Sequence, residues 1–208
     1  MHKLIVATSN SGKYKEIKEI LKGLPFEFSC LKDHWDPIPK IPEDGNTFYE
    51  NAKAKAKWVY KKTGLFTLAD DSGLEVDFLN GLPGVNSARF SGNEHDKERD
   101  KKNIAKLLDL LKDCPKDKRT ARFKCVVVFI ISDKQEIASE GVCEGRIIYE
   151  PKGTNGFGYD PIFVPDGFNL TFAELDGKTK NSISHRGKAL LNLRRILNER
   201  FRSSLQHL

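Results

Sequence analysis

The sequence lacks the cysteine spacing of disulfide-stapled and zinc-binding proteins. Its four cysteines, at positions 30, 114, 125 and 143, form no CxxC pair and do not cluster with histidines. A disulfide framework or a zinc site would require such pairing. We therefore expect reduced, mostly buried thiols.

Long apolar runs are also missing. No stretch approaches the ~20 apolar residues needed to cross a bilayer. The first residues, Met1-His2-Lys3, lead directly into Leu4-Ile5-Val6 without the apolar region and cleavage site of a signal peptide. The sequence thus predicts a cytoplasmic protein with no membrane partner.

The positive charge is not concentrated in one place. The formal net charge is +6, but the lysines are spread along the 208 residues and form no long basic block. This distribution favours a small anionic substrate over a nucleic-acid track, so we expect no nucleic-acid partner. With 38% hydrophobic residues, the chain can bury a proper core as one domain or as two closely packed lobes.

What the sequence does contain is an alternation of strand and helix patterns. A strand over residues 3–8 and a helix over residues 11–22 form the opening unit of an α/β fold. Residues 33–45 are rich in proline and predict a surface loop. Thr47 and Glu50 then form a capping box that predicts a helix up to Lys62, which Gly64 ends.

The second half of the chain continues this alternation. The patterns predict a strand at 65–69, a turn at 70–73, an extended piece at 74–78, a loop at 80–94, a helix at 96–111, strands at 120–132 and 136–148, a glycine-rich stretch at 151–167 and a helix at 186–200. The two long strands are joined by a turn at 132–135. We interpret them as the antiparallel hairpin of a second lobe.

The first turn, Thr8-Ser9-Asn10-Ser11-Gly12-Lys13, could hold a phosphate. A polar turn between a strand and a helix offers backbone N–H groups and a helix N-terminus, and Lys13 adds a positive charge. It is not a Walker loop, because Ala7 replaces the first glycine and Tyr14 replaces the hydroxyl residue. A plain strand-to-helix turn with an exposed lysine is the alternative.

Three carboxylates could hold a metal. Glu43 ends the proline-rich loop, and Asp70 and Asp71 are placed by the patterns at a strand terminus. Magnesium prefers hard oxygen ligands and often takes one or two carboxylates beside substrate phosphates. Since consecutive strand residues point to opposite sides, only one of the two aspartates is expected to face the metal. An Asp-rich turn that caps a loop is the alternative.

Two later segments could surround a ligand. In the stretch from Gly153 to Asp160, three glycines surround two aromatic residues, and such an aromatic can stack on a purine. The segment from Lys178 to Arg186 gathers donors near a helix start, and His185 could titrate near neutrality. A flexible surface loop and a simple N-cap at Ser184 are the respective alternatives.

Read together, six motifs resemble the Ham1-like family, the inosine triphosphate pyrophosphatases also called dITP/XTP diphosphatases. They occur in the family's order between residue 4 and about residue 190: ATSNSGK (7–13) with Glu16, EDGNTFYENA (43–52) with Lys55, ADDSGL (69–74), PGV (83–85) with SARF (87–90), GFGYDP (156–161), and SHR (184–186). One departure is Asp44, where many members have a small hydroxyl residue.

The resemblance implies a fold, a cofactor and an assembly. It implies one elongated α/β domain over residues 1–208, with a central mixed sheet flanked by helices. It also implies a second lobe at roughly 115–155, an active-site cleft between the lobes and a homodimer. The implied cofactor is Mg²⁺, and the implied substrates are the purine nucleoside triphosphates ITP, dITP and XTP. These would be hydrolysed to the monophosphate and pyrophosphate, which removes them from the nucleotide pool.

Carried over position by position, the resemblance also implies site residues. Glu43 and Asp71 would hold the metal, and Asp71 would act as general base. The expected substrate-binding residues are Thr8, Ser9, Asn10, Ser11, Gly12, Lys13, Lys55, Ser72, Phe157, Gly158, Tyr159, Asp160, Lys180, His185 and Arg186. Donors on His185 and Arg186 would favour a 6-keto purine over adenine, whose 6-amino group is itself a donor.

Two other functions use the same residues. A nucleotidyl- or phosphotransferase would clamp a metal-bound triphosphate but pass a group to an acceptor other than water. A nucleotide sensor would bind without turnover. The presence of Asp71, Glu43, Lys13 and Lys55 together favours catalysis.

Overall fold

The computed structural model of the chain describes residues 1–92 and 98–205. Its strands are β1 (His2–Val6), β2 (Phe26–Cys30), β3 (Phe66–Val76), β4 (Thr120–Ser132), β5 (Gln135–Ile147) and β6 (Phe163–Pro165). They form a sheet in the order β2-β1-β3-β4-β5-β6. β1 runs parallel to β2 and β3, whereas β6 runs antiparallel to β5, so the sheet is mixed. This confirms the predicted fold class.

Helices flank the strands along the chain. Their bounds are α1 (Ser11–Ile20), α2 (Phe48–Thr63), α3 (Arg99–Leu110), α4 (Gly177–Ile183) and α5 (His185–Leu205). The α2 helix begins where the sequence predicts, because Glu50 N–H donates to Thr47 Oγ1 while the Glu50 carboxylate accepts from Thr47 N–H. It ends at Gly64, whose positive φ of 66° suits a residue without a Cβ.

Two compact units divide the chain. Unit 1 comprises residues 1–71, 125–141 and 186–208, and unit 2 comprises residues 72–124 and 142–185. The predicted second lobe, roughly 115–155, is therefore divided between the two units, since residues 125–141 belong to unit 1 and its other residues to unit 2. Each unit has its own apolar core.

The two cores draw on different elements. In unit 1, Leu4, Ile17, Phe129 and Leu193 are fully buried in one cluster, and Ala52, Ala56 and Val59 of α2 belong to another. In unit 2, Leu74, Leu107, Phe163 and Phe172 are fully buried together. Burying side chains of this size stabilises each by about 1.5–3 kcal/mol relative to exposure.

The prediction of a turn at residues 70–73 is wrong. β3 runs without interruption from Phe66 to Val76, so Asp70 and Asp71 lie in the middle of a strand and not at its end. The sequence Asp-Asp-Ser-Gly favours turns locally. Here β3 pairs with β1 over Phe66–Leu68 and has β4 as its other neighbour in the sheet, and this tertiary context outweighs the local preference.

Other predicted boundaries need smaller corrections. The segment at 177–183 is a helix, α4, which the sequence reading treated as the approach to the last helix. The predicted loop at 80–94 contains a 3-10 helix at Gly84–Arg89, and its last two residues lie outside the described residues. The first two residues of the helix predicted at 96–111 also lie outside the described residues, and α3 starts at Arg99. The hairpin strands β4 and β5 are confirmed, joined by only Asp133 and Lys134.

All four cysteines are free thiols, and three of them are buried, as expected. Within the described ranges of the chain, no helix combines the length and apolar character that a membrane span requires.

We expect Thr47→Ala to lower the free energy of unfolding by about 1 kcal/mol, because it removes the side-chain acceptor at the start of α2. Urea denaturation would measure this. Thr154→Ala, which makes the same change at an exposed loop position, is the matched control. Equal stabilities of the two variants would contradict a capping role for Thr47.

Candidate functional site

The two adjacent aspartates of β3 have different partners. Asp70 contacts Lys13 and Arg186, whereas Asp71 contacts Asn51 and Lys55. This division follows from strand geometry, since consecutive side chains point to opposite faces. The prediction from the sequence that the pair would be split is consistent with these contacts.

Asp70 is the centre of a buried ion cluster. Its Oδ2 lies 3.1 Å from Lys13 Nζ and 3.1 Å from Arg186 Nε, and the Asp70 side chain has no exposed surface. Arg186 also donates from Nη1 to Glu16 Oε2 at 2.7 Å. The cluster therefore links α1, β3 and α5, with two carboxylates balancing two cations.

The cluster keeps Asp70 ionised. Burial by itself would raise the pKa of this carboxyl group, but Lys13, Arg186 and Lys55 more than offset that effect and hold it well below its ordinary value. Cys125 Sγ lies 4.0 Å from Asp70 Oδ2, and burial beside this negative charge raises the pKa of the thiol to about 12. Cys125 is therefore a neutral, unreactive group.

Asp71 belongs to a second cluster that includes Glu43. Lys55 Nζ lies 2.7 Å from Glu43 Oε1 and 3.4 Å from Asp71 Oδ1, so one ammonium group brings the two carboxylates together. Burial raises the pKa of Asp71 above its ordinary value, although Lys55 and Lys13 act against that rise. Burial would lower the pKa of Lys55, but Asp71 and Glu43 reverse this, and the lysine stays charged.

The turn between β1 and α1 is closed by hydrogen bonds of its own, so the predicted free N–H groups of Gly12 and Lys13 already have an acceptor. Asn10 is the N-cap of α1, and its Oδ1 accepts from Gly12 N–H at 2.8 Å and from Lys13 N–H at 3.0 Å. Asn10 N–H in turn donates to Thr8 Oγ1 at 3.1 Å. Ser9 and Ser11 are exposed, and the first turn of the helix carries no acidic residue. What the start of α1 offers an anion is therefore the positive end of its dipole and the Lys13 ammonium, while Asn10 occupies two of its N–H groups.

Unit 2 contains the predicted aromatic loop and an ion pair beside it. Lys180 Nζ lies 2.7 Å from Asp160 Oδ2, and both side chains are almost fully buried. The same ammonium lies 4.9 Å from the centroid of the Phe157 ring, a cation–π distance. Asp160 Oδ2 also accepts from Phe157 N–H at 2.9 Å. The Asp160–Lys180 ion pair therefore contacts both the ring and the backbone of Phe157.

The remaining predicted residues fall in both units. Ser72 is half-buried in β3, and Tyr159 is buried with its hydroxyl donating to Ser87 O at 3.0 Å. His185 is 4% exposed and stacks on Phe123 at 4.6 Å between ring centroids. Arg186 is equally buried, with Asp70 and Glu16 as partners. Their predicted roles toward a purine stay predictions.

Comparison with known sequences identifies the family of this chain. Residues 4–196 match the Ham1 family. This chain belongs to the Ham1 family. The dITP/XTP pyrophosphatase of Desulforamulus reducens is 50% identical over 196 residues, covering 94% of this chain and 96% of the relative. That of Vibrio cholerae is 45% identical over 201 residues, covering 96% and 98%.

Solved structures of Ham1 proteins have the same fold. The HAM1 protein of Coxiella burnetii is 42% identical, with a TM-score of 0.85 and coverage of 96% of this chain and 100% of that chain. The Ham1 protein of Staphylococcus aureus is 35% identical, with a TM-score of 0.82 and coverage of 95% and 99%. The family predicted from the six motifs is thereby confirmed.

Asn51 is a site residue of this Ham1 protein to which the sequence reading assigned no role. Its Nδ2 donates to Asp71 Oδ2 at 3.1 Å, and its Oδ1 accepts from Gly45 N–H at 2.7 Å. It thereby connects the loop that carries Glu43 to the carboxylate of Asp71. Its position four residues before Lys55 on α2 puts both side chains on one helix face, and this spacing was a readable signal.

Glu43 and Asp71 fit a magnesium ion by their chemistry. Both supply hard oxygen ligands, and the Lys55 ammonium group contacts both carboxylates and so keeps them near each other. Among the residues that the structure describes, no group of three or more His, Cys, Asp and Glu side chains could form a cage by itself. Two carboxylates with phosphate and water completing the shell is a common arrangement for this ion in nucleotide sites.

We expect Asp70→Asn to lower the free energy of unfolding at pH 7 by about 3 kcal/mol, because the amide cannot balance Lys13 and Arg186. Asp71→Asn is the matched control. Folding raises the pKa of Asp71 and so disfavours its charge, and the neutral amide should leave stability unchanged or higher. Urea denaturation of both variants would test this contrast.

The pH dependence of the same comparison has a definite sign. The pKa of Asp70 is lowered by folding, so its contribution is present above the unfolded pKa of about 3.9 and is lost as the pH falls towards the lower folded value. The difference between the wild type and Asp70→Asn should therefore shrink below about pH 4. A difference that stays constant there would contradict the ion cluster as its origin.

Proposed function

We propose that this chain hydrolyses the triphosphates of non-standard purine nucleosides, ITP, dITP and XTP, to the monophosphate and pyrophosphate, and that it requires Mg²⁺. The observation that carries the proposal is the convergence of the Glu43 and Asp71 carboxylates within 3.4 Å of the Lys55 ammonium group, in a member of the Ham1 family. The relatives named dITP/XTP pyrophosphatase support the substrate class.

The phosphate chain of the substrate would be bound by positive groups of unit 1. Lys55 is held in its charged form by Asp71 and Glu43, and the positive end of the α1 helix dipole lies beside Lys13, although the Gly12 and Lys13 N–H groups are already capped by Asn10. Lys13 Nζ already contacts Asp70, so its position is set before a substrate arrives. Positive groups fixed in advance stabilise the charge that develops on a pyrophosphate leaving group without reorganisation.

Asp71 is suited to accept a proton from the attacking water. A general base works best with a pKa close to the operating pH, and burial raises the pKa of Asp71 in that direction. Lys55 and Lys13 act against the rise, because their positive charges favour the ionised form of the carboxyl group. Asn51 fixes the rotation of the carboxylate by donating to Oδ2.

Glu43 and Asp71 would hold the magnesium ion, which supplies charge neutralisation on the phosphate oxygens when bound. Glu43 would be the more adaptable of the two ligands, because 43% of its side chain is exposed, against 14% for Asp71.

Recognition of the base is proposed for the unit 2 residues Phe157, Lys180 and His185. Phe157 offers a ring face for stacking, with the Lys180 ammonium 4.9 Å from its centroid. A donor that would pair with a 6-keto group is left unpaired by adenine, at roughly 1–3 kcal/mol for each such group. ATP should accordingly be a poor substrate.

A homodimer is proposed with this function, as the resemblance to the family implies, and a cytoplasmic location is proposed because it fits the bacterial relatives. Sedimentation of the purified protein would test the dimer. The even spread of lysines supports a small anionic substrate over a nucleic acid.

We expect the purified protein to convert ITP and XTP to the monophosphate and pyrophosphate with no acceptor added other than water. Turnover of ATP should be at least about tenfold slower, as one unpaired donor predicts. A chelator should remove the activity and Mg²⁺ should restore it. Chromatography of the products would distinguish this reaction from group transfer, which needs an added acceptor, and from binding without turnover.

We expect Asp71→Asn to reduce kcat for ITP by about a hundredfold or more, which is the typical contribution of a general base. The variant should keep its fold and much of its affinity for the nucleotide. Asp133→Asn, the same change in the exposed turn between β4 and β5, is the control and should behave as the wild type. Near-normal hydrolysis by Asp71→Asn would remove Asp71 as the base.

A further inference from the structure

Two different carboxylates hold consecutive N–H groups of the aromatic loop. Phe157 N–H donates to Asp160 Oδ2 at 2.9 Å, and Gly158 N–H donates to Asp100 Oδ2 at 2.8 Å. Hydrogen bonds to an ionised acceptor are stronger than those between neutral groups. The peptide groups before and after Phe157 are therefore both held by hydrogen bonds to a carboxylate.

The tie to Asp160 lies within the loop. Asp160 is only three residues after Phe157, and its carboxylate packs against Gly156, where an added Cβ would lie 2.0 Å from Oδ2. This contact shapes the turn, but it does not connect the turn to another helix. The Lys180 ion pair then keeps Asp160 in place from α4.

The tie to Asp100 comes from α3, 58 residues away in sequence. Asp100 divides its oxygens, since Oδ2 accepts from Gly158 N–H while Oδ1 accepts from Arg99 Nε at 3.2 Å. The helix that carries it is fixed in the core of unit 2 through Ile104 and Leu107. Asp100 thus connects the tip of a glycine-rich loop to a rigid element.

The same helix also holds the neighbouring segment at residues 87–91. Asn103 accepts from Ser91 N–H at 2.7 Å and donates to Ser87 O at 3.2 Å, and Lys106 donates to Phe90 O at 2.6 Å. Residues 100, 103 and 106 lie at spacings of three, which places neighbours on one helix face. The α3 helix therefore acts as one platform for two segments.

The contacts with α3 give the Ser-Ala-Arg-Phe motif at residues 87–90 a structural role. The Tyr159 hydroxyl donates to Ser87 O at 3.0 Å, so the motif and the aromatic loop are also joined to each other. Ser87 Oγ accepts from Leu74 N–H at 2.9 Å, which extends the connection to β3. The aromatic loop is thus held at two points, by the Tyr159 hydroxyl, which bonds to Ser87, and by Asp100, which bonds to Gly158.

We propose that Asp100 is a positioning residue for substrate binding, which acts by fixing the backbone that carries the Phe157 ring. The inference rests on the proposed function, in which Phe157 stacks on the base. Gly156 and Gly158 both have positive φ, 78° and 60°, and flank Phe157 with backbone that is intrinsically permissive. A ring between two such residues depends on outside ties for its orientation.

Loss of the tie should weaken binding of the base more than it slows the chemical step. We expect Asp100→Ala to raise KM for ITP by about tenfold with kcat changed less than about twofold, the pattern of lost uniform binding. Asp100→Asn keeps an oxygen acceptor without the charge, so its KM for ITP should lie between those of the wild type and of Asp100→Ala. Inhibition by pyrophosphate, which has no base, should be unchanged.

Asp109→Asn is the control for charge on the same helix, because Asp109 is exposed on α3 and lies outside the contacts described above. Its KM for ITP should equal that of the wild type. Hydrogen exchange of the Gly158 amide gives a readout without turnover. Exchange there should be faster in Asp100→Ala than in Asp109→Asn.

A double-mutant cycle decides whether Asp100 acts through Phe157. In a Phe157→Ala background, Asp100→Ala should raise KM no further, since the ring that it positions is gone. Additive effects of the two changes, or a fall in kcat with KM unchanged, would overturn the inference while leaving the proposed function intact. A wild-type protein that releases no pyrophosphate from ITP would instead overturn the proposed function.

Discussion

The centre of β3 carries two carboxylates with opposite roles, and the arrangement of unit 1 depends on them. Asp70 is an ionised group without exposed surface, which is tolerable only because Lys13 and Arg186 lie 3.1 Å away. These contacts draw the start of α1 and the start of α5 onto the strand. Asp71, one residue later, points away from that cluster towards Lys55 and Glu43. The ion cluster on one face therefore fixes the strand position that presents Asp71 on the other.

The polar groups around Asp71 form a short, connected chain. Asn51 links the backbone of Gly45 to Asp71, and Lys55 links Glu43 to Asp71. Gly45 has no room for a side chain, since a Cβ there would lie 2.7 Å from Glu50 Cβ. The loop that supplies Glu43 is thus held by α2 at two points, although it contains no helix or strand of its own. Unit 2 uses the same principle, because α3 and the Asp160–Lys180 pair hold a glycine-rich loop through its backbone.

Most elements with a clear local signal could be predicted. The capping box at Thr47 and Glu50, the stop at Gly64 and the hairpin strands β4 and β5 all follow from short-range chemistry. The turn predicted at Asp70-Asp71-Ser72-Gly73 is wrong because the position of β3 between β1 and β4 in the sheet is a long-range effect that local residue preferences do not show. The α4 helix was missed because it is only seven residues long and polar, with an N-cap at Asp176 as its main signal. Roles toward substrate for Ser72, His185 and the other base-side residues stay predictions.

The sequence by itself determined the fold class and the family and supplied the candidate residues for a phosphate chain, because each of these is read from short motifs and local periodicity. Only the tertiary structure decided which carboxylate meets which cation. Arg186 is 116 residues from Asp70, and Asp100 is 58 residues from Gly158. No local pattern encodes such partners, since they are selected by how buried charges and backbone donors must be satisfied once the chain has folded.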